Sequence, residues 1–129
     1  PKVLLINKYS ASDGDLFPWS FKANKIGKVI GTRTWGGIVG ISGPLPYMDD
    51  TDVRVPFFTN FDAKTGQWIV ENHGVDPDIL IDNDPIKEQM GEDQQLNKAI
   101  EVIMQELKDR KPLPKVPAPR TFKDLGLKQ

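Results

Sequence analysis

Ser12 is the first side chain in the sequence whose type and position could support chemistry. The apolar run 3–6 predicts a strand buried on both faces. A run of small and polar residues, 10–15, leads from this strand to Leu16, Phe17 and Phe21, which fit one face of a helix with Pro18 in its first turn. A buried strand that turns sharply into a helix exposes one side chain and directs backbone N–H groups toward it. Ser12 is therefore a candidate nucleophile, and the N–H of Asp13 is the nearest candidate oxyanion donor.

The same residues have a second interpretation as an ordinary helix cap. Ser12 or Asp13 would accept a hydrogen bond from the first helical turn, and Asp15 would favour the positive end of the helix. Spacing alone favours this cap, because capping residues are far more common than nucleophiles.

A nucleophilic serine needs a base, and the chain contains one histidine, His73. Glu71 precedes it by two residues, so a Ser12–His73–Glu71 triad is conceivable. The glutamate would have to curl back to orient so near a histidine, and an exposed loop histidine without a catalytic role is the commoner outcome.

Three separated segments carry a family resemblance: NKYSASDGD at 7–15, GTRTWGG at 31–37 and VENHGVDPD at 70–78. In this order they resemble the tricorn-type serine proteases, which belong to the larger group of tail-specific (carboxy-terminal processing) proteases. The resemblance implies an α/β fold, a ClpP/crotonase-like αβ sandwich that is incomplete in this chain.

The resemblance also implies roles for individual residues. Tricorn-type proteases use a tetrad made of an upstream Ser-His pair, a nucleophilic serine and a later glutamate. The nucleophile corresponds to Ser12 and the glutamate to Glu71, while the N–H of Asp13 would form half of the oxyanion hole. The Ser-His pair and the second oxyanion donor, a glycine, would lie before Pro1. We therefore expect a C-terminal piece of the catalytic domain that is inactive alone.

The glycine-rich segment separates two branches of this group. The simpler tail-specific proteases pair their serine with a lysine, and Gly37 stands where that lysine would be. A Ser-Lys dyad is therefore not supported. Arg33 cannot replace the lysine as base, because a guanidinium stays protonated; we expect it to be structural or to touch the substrate. Gly36 and Gly37 are predicted to line the substrate cleft, and a tight turn between two strands is the alternative.

Composition narrows the partners. The 17 basic and 18 acidic residues form no basic stripe, which gives no reason to expect nucleic acid or an anionic membrane. There is no cysteine, so disulfides are excluded. No ligand cluster has metal spacing, and the favoured mechanism needs neither metal nor cofactor. Asp49, Asp50 and Asp52 lack EF-hand spacing and are predicted to be solvated. The compartment stays open between the cytoplasm and a bacterial cell envelope or periplasm.

Apolar spacing and turn residues predict the remaining elements. They are a strand at 28–31 that completes a βαβ unit, a surface loop at 42–56, a hairpin with strands 53–61 and 67–70 around a turn at 62–66, an edge strand at 79–81, and an amphipathic helix at 93–110 whose apolar stripe packs on the core. Residues 1–110 would form the protease portion, and 111–129 a proline-rich extended tail.

We expect the chain to be a fragment of a serine peptidase that acts on peptides or unfolded polypeptides. The resemblance implies that the full-length protein is a homo-oligomer. One rival is a non-catalytic α/β binding or assembly module, with Trp19, Trp35 and Trp68 lining an interface. A second rival is a non-peptidase hydrolase or acyl-transfer enzyme, because the fold group hosts several acyl chemistries.

Overall fold

A computed structural model describes residues 1–41, 43, 45–121 and 124–126 of the 129-residue chain. Parts of the predicted 42–56 loop and of the predicted tail therefore lie outside the described residues. The regular elements, in chain order, are β1 (Val3–Ile6), α1 (Asp13–Ala23), β2 (Lys28–Gly31), β3 (Gly40–Ile41), β4 (Leu45–Pro46), β5 (Asp52–Val53), β6 (Pro56–Phe58), β7 (Ile79–Leu80), α2 (Pro85–Gln89) and α3 (Gln94–Lys108).

The central sheet is parallel and has the strand order β1-β2-β7. The helix α1 connects β1 to β2, so the predicted βαβ unit is confirmed. Ile6, Phe21 and Val29 form the core on the α1 face of this sheet. Strand alternation directs the buried Ile30 to the other face, where α3 also packs against β1 and β2. The sheet thus lies between two helices.

The first strand is less buried than its apolar run predicts. Ile6 is buried, whereas Leu5 remains 40% exposed. Within the described part of the chain β1 pairs only with β2, so one of its edges is uncovered. A strand with a neighbouring strand on one edge only keeps part of its side-chain surface accessible.

The helix α1 begins earlier than the apolar pattern indicated. Because it starts at Asp13, Pro18 lies inside the helix and not in its first turn. Its buried row consists of Asp15, Pro18 and Phe21, each three residues apart. Phe17, which was expected on the apolar face, is exposed.

The hairpin prediction is only partly right. The turn at 62–66 is confirmed: Gly66 has a φ of 70°, and its N–H donates to the carbonyl of Asp62 at 2.7 Å. The flanking segments, however, make a single bridge, Phe61 to Trp68. The strand β6 pairs instead with β3. Val70 has a φ of 66°, which ends the extended conformation that a returning strand would need.

The C-terminal helix α3 is confirmed, and the carboxylate of Asp93 caps it by accepting from the N–H of Leu96. The short helix α2 was not predicted, although Asp84 as cap and Pro85 at the first helical position are its usual signals. Part of the apolar stripe of α3 is not in the core as expected: Ala99 is buried, but four members are exposed, namely Leu96, Ile100, Met104 and Leu107.

Two other segments carry little regular structure. The strands β4 and β5 form a small antiparallel pair within the region predicted to be a loop. Residues 111–121 form neither helix nor strand and are exposed. Among the helices that the structure describes, none has the length and apolar character needed to cross a membrane.

Candidate active site

Ser12 occupies the sharp turn between β1 and α1. Its φ of 57° and ψ of −115° lie outside the regions that non-glycine residues usually adopt. It stands at the N-cap position of α1, yet its side chain makes no capping hydrogen bond, and the residue is exposed. The cap interpretation is therefore wrong for this hydroxyl. A serine on a strained strand-to-helix turn is typical of nucleophiles that must be presented above a sheet.

The strained turn is held by the loop that follows β2, residues 32–39, called here the 32–39 loop. The N–H of Ser12 donates to the carbonyl of Gly37 at 3.2 Å. The N–H of Trp35 donates to the carbonyl of Ser10 at 2.9 Å. The carbonyl of Ser12 accepts from the N–H groups of Asp15 and Leu16, which begin the helix. These contacts fix the serine from both sides.

Asp13 supplies an N–H group at the start of α1. A first helical residue has no carbonyl acceptor within its own helix. No acceptor for the N–H of Asp13 is present within the part of the chain that the structure describes. This group is therefore free to donate at the N-terminus of α1, where the helix dipole also favours negative charge.

Asp15 was missed as a site residue. Its side chain is completely buried, and its carboxylate accepts hydrogen bonds from the N–H of Gly36 at 2.8 Å and of Gly37 at 3.2 Å. The sequence pattern indicated only an interaction of Asp15 with the helix dipole. Its position in one row with Pro18 and Phe21 is the signal that could have marked it as a buried acid.

Glu71 is anchored to the same 32–39 loop. Its Oε2 atom accepts from the N–H of Ile38 at 2.7 Å and of Val39 at 2.9 Å. Its Oε1 atom accepts no hydrogen bond among the described residues. The turn of Ser12 and the carboxylate of Glu71 thus contact consecutive residues of one loop, Gly37 and Ile38.

The backbone has a positive φ on both sides of Glu71. The N–H of Glu71 donates to the carbonyl of Ile69 at 2.6 Å, which closes a γ-turn centred on Val70 with its φ of 66°. Asn72 also has a positive φ, 61°, and its N–H donates to the carbonyl of Gly36 at 2.8 Å. A positive φ is costly for a β-branched residue, and such strain clusters at functional sites.

A close backbone approach joins the Glu71 segment to the 32–39 loop. The N–H of Thr34 donates to the carbonyl of Val75, and the N–H of Val75 donates to Oγ1 of Thr34 at 2.7 Å. Gly74, the residue before Val75, has a φ of 84°, and a Cβ atom there would fall 2.2 Å from the carbonyl oxygen of Thr34. Only glycine fits at this position.

His73 does not complete a triad with Ser12 and Glu71. Its Nε2 atom lies 2.9 Å from Oδ2 of Asp76, and its side chain is more than half exposed. Asp76 also accepts from Nε of Arg33 at 2.7 Å. The hydrogen bond from His73, followed by that from Arg33, lowers the pKa of the Asp76 carboxyl below its usual value. From the sequence, Arg33 was expected to be structural or to touch the substrate. In the structure it forms this ion pair with Asp76.

The predicted substrate role of Gly36 and Gly37 stays a prediction. Both N–H groups bind Asp15, and the carbonyls accept from Asn72 and Ser12. Their backbone polar groups are thus engaged within the protein. Across the described ranges, no three acidic or histidine side chains gather that could hold a metal ion.

A parallel sheet that presents a serine on a strained turn into a helix is typical of α/β hydrolytic enzymes. The model of peptidase family S41 matches residues 1–81, and the chain belongs to this family. Within the family it is similar to tricorn proteases: it is 44% identical to that of Thermoplasma volcanium over 111 residues, which cover 86% of this chain and 11% of that protein.

Solved structures agree with this assignment. The crystal structure of the tricorn protease matches with a TM-score of 0.74 and 42% identity, covering 82% of this chain and 10% of that one. The photosystem II D1 C-terminal processing protease matches with a TM-score of 0.51 and 27% identity, covering 64% of this chain and 20% of that one. The expected family and α/β fold are confirmed. The chain spans about a tenth of the length of the tricorn proteases it matches.

Proposed function

We propose that this chain is the C-terminal part of the catalytic domain of a tricorn-like serine peptidase, and that Ser12 is its nucleophile. The observation that carries the proposal is that Ser12 is exposed, has a φ of 57° on the strand-to-helix turn and makes no capping hydrogen bond with its side chain. Membership of peptidase family S41 and the similarity to tricorn proteases support the reaction class.

In the proposed reaction, Oγ of Ser12 attacks the carbonyl carbon of a peptide bond as a histidine takes its proton. The negative charge that develops on the carbonyl oxygen is stabilised by the N–H of Asp13, which is free to donate. The histidine then protonates the leaving amine. In the second half of the reaction it takes a proton from water, which attacks the acyl-enzyme, and it returns that proton to Oγ of Ser12 as the peptide acid leaves.

Glu71 is proposed to orient the histidine through a second serine, as in the tetrad of the tricorn-type proteases. Its Oε2 atom is held by the N–H groups of Ile38 and Val39, and this supports the assignment because the carboxylate cannot swing freely. The Oε1 atom remains available to accept a hydrogen bond from that serine.

We propose that the histidine and its serine come from outside these 129 residues. The single histidine of the chain, His73, is bound to Asp76 on an exposed surface. The isolated chain is then inactive, because removing the base from such a unit costs nearly as much as removing the serine. Peptides or unfolded polypeptides are the proposed substrates, and a homo-oligomer is the proposed assembly of the full-length protein.

The test is labelling of the full-length protein with a serine-directed fluorophosphonate, followed by peptide mapping, in parallel with the isolated chain. We expect label on Ser12 in the full-length protein only, and loss of both label and peptide hydrolysis in Ser12→Ala. Ser10→Ala is the matched control, because Ser10 lies in the same turn and its Oγ accepts from the N–H of Asn7.

The other outcomes assign the rivals. Label on Ser12 in the isolated chain would place the base within it, and His73 would become the candidate. Turnover that is unchanged in Ser12→Ala would disprove the nucleophile. Absence of label in both proteins would favour the binding or assembly module, and hydrolysis of thioesters but not peptides would favour the acyl-transfer enzyme.

A further inference from the structure

Asp15 is a buried ionisable group that the proposed mechanism does not use. Its side chain has no exposed surface, and its contacts are the N–H groups of Gly36 and Gly37. Burying a carboxylate away from water costs free energy unless hydrogen bonds replace its solvation. The N–H groups of Gly36 and Gly37 supply such bonds. Each of its oxygen atoms accepts from a different glycine: Oδ1 from Gly36 and Oδ2 from Gly37.

The two glycines connect Asp15 to both proposed catalytic side chains. The carbonyl of Gly37 accepts from the N–H of Ser12 at 3.2 Å. The carbonyl of Gly36 accepts from the N–H of Asn72, the residue after Glu71. The N–H of Ile38, next in the chain, donates to Glu71 itself. The carboxylate of Asp15 therefore binds the part of the loop that contacts both Ser12 and the segment of Glu71.

We propose that Asp15 is a positioning residue that locks the 32–39 loop against α1 and so holds Ser12 in its reactive conformation. The inference rests on the proposed function and adds to it a residue that touches no reacting atom. The turn of Ser12 is strained and must be fixed from outside. Asp15 supplies that constraint, because it is three residues from Ser12 on a rigid helix and clamps the residue that Ser12 donates to.

The chemistry of the clamp makes a nearly isosteric test available. The two N–H donors point at different oxygen atoms, Oδ1 and Oδ2, and a carboxylate offers an acceptor at both positions, whereas an amide offers one oxygen only. In Asp15→Asn one N–H can keep its acceptor, while the other faces an NH₂ group that is itself a donor. The loop then loses one of its two fixed points without a change in side-chain size.

The experiment uses the full-length protein and measures the rate of fluorophosphonate labelling against probe concentration, which separates the maximal rate kinact from the half-saturating concentration KI. We expect Asp15→Asn to lower kinact by about 10- to 100-fold, since small displacements of a nucleophile have effects of this size. We expect KI to stay within about threefold, because the clamp does not touch the probe. Asp109→Asn, at the exposed end of α3, is the matched control with unchanged kinact.

A merely structural role predicts a different result. If Asp15 only stabilised the fold, Asp15→Asn would lower the melting temperature and the fraction of protein that is labelled at the end point, but the correctly folded fraction would react with wild-type kinact. That outcome, with label still on Ser12, would overturn the inference and leave the proposed function intact. Absence of label on Ser12 in the wild type would overturn both.

A second measurement does not depend on the folding of a variant. In the wild-type protein, the amide hydrogens of Gly36 and Gly37 should exchange slowly with deuterium, because each is donated to a fully buried carboxylate. Mass spectrometry of peptides that span these glycines reports their exchange. Rapid exchange in the native protein would show that no lock exists.

Discussion

Asp76 lies where the loop after Glu71 meets the loop after β2, and its carboxylate contacts both His73 and Arg33. These hydrogen bonds lower the pKa of its carboxyl in the folded protein below the ordinary value of 3.8. Because the folded state holds the proton less tightly than the unfolded state, the ionised carboxylate stabilises the fold above that value. The contribution is lost as the pH falls from 3.8 through the lower folded pKa.

Asp76→Asn is therefore expected to lower the free energy of unfolding at neutral pH, and this difference from wild type should shrink as the pH falls below about 4. Urea unfolding of the chain at a series of pH values measures it. The effect is small, because the pair with Arg33 is more than half exposed. Asp109→Asn is the control, and a difference that grew toward acid pH would contradict the assignment.

For individual residues, the sequence identified the candidates but not their arrangement. Ser12, Asp13 and Glu71 followed from a strand-to-helix turn and from resemblance, and their catalytic roles remain predictions. For Asp15 only an interaction with the helix dipole was predicted, because its burial depends on a loop that folds over it from residues further along the chain.

The junction between the 32–39 loop and the segment after Glu71 gives a prediction for whole elements. Gly74 combines a φ of 84° with a contact that leaves no room for Cβ, whereas Gly66 has a φ of 70° and open space around it. Gly66→Ala should therefore show only the conformational cost, about 1 kcal/mol. Gly74→Ala should cost at least about 2 kcal/mol more, because the backbone of Thr34 must move.

Chemical denaturation of both variants measures the difference. In the full-length protein, Gly74→Ala should also reduce labelling of Ser12, while Gly66→Ala should not. Equal destabilisation by the two substitutions would mean that the close approach of the two backbones contributes nothing.

The elements themselves were largely predictable where local rules decide them. Apolar runs and a 3.6-residue period marked β1, β2 and α3. The predicted returning strand at 67–70 is wrong, because local turn hydrogen bonds replace the extended conformation: Val70 has a positive φ, and its carbonyl accepts from the N–H groups of His73 and Gly74. No residue-type signal announces a positive φ at a valine.

The described part of the molecule exposes many large apolar side chains. Ile100 and Met104 on α3 are 51% and 55% exposed. The outer edge of β1 has no partner among the residues the structure describes. Contiguous apolar surface and unpaired strand edges both promote association in water.

We expect the isolated chain to associate as its concentration rises, and Ile100→Lys to weaken this association. The free energy of unfolding should change by less than about 1 kcal/mol, because the side chain is half exposed already. Sedimentation velocity over a range of concentrations measures the effect. Gln105→Lys adds the same charge to the same helix without removing apolar surface, so an equal decrease in that control would attribute the effect to charge alone.

The contacts of the 32–39 loop with the Ser12 turn and with Glu71 have a consequence for sequence variation. The loop uses its main-chain groups: the N–H of Trp35, both groups of Gly37, and the N–H groups of Ile38 and Val39. Every amino acid except proline supplies these donors. The exposed side chain at position 35 can therefore vary while the hydrogen bonds that hold the serine and the glutamate persist, whereas the buried Ile38 is constrained by packing.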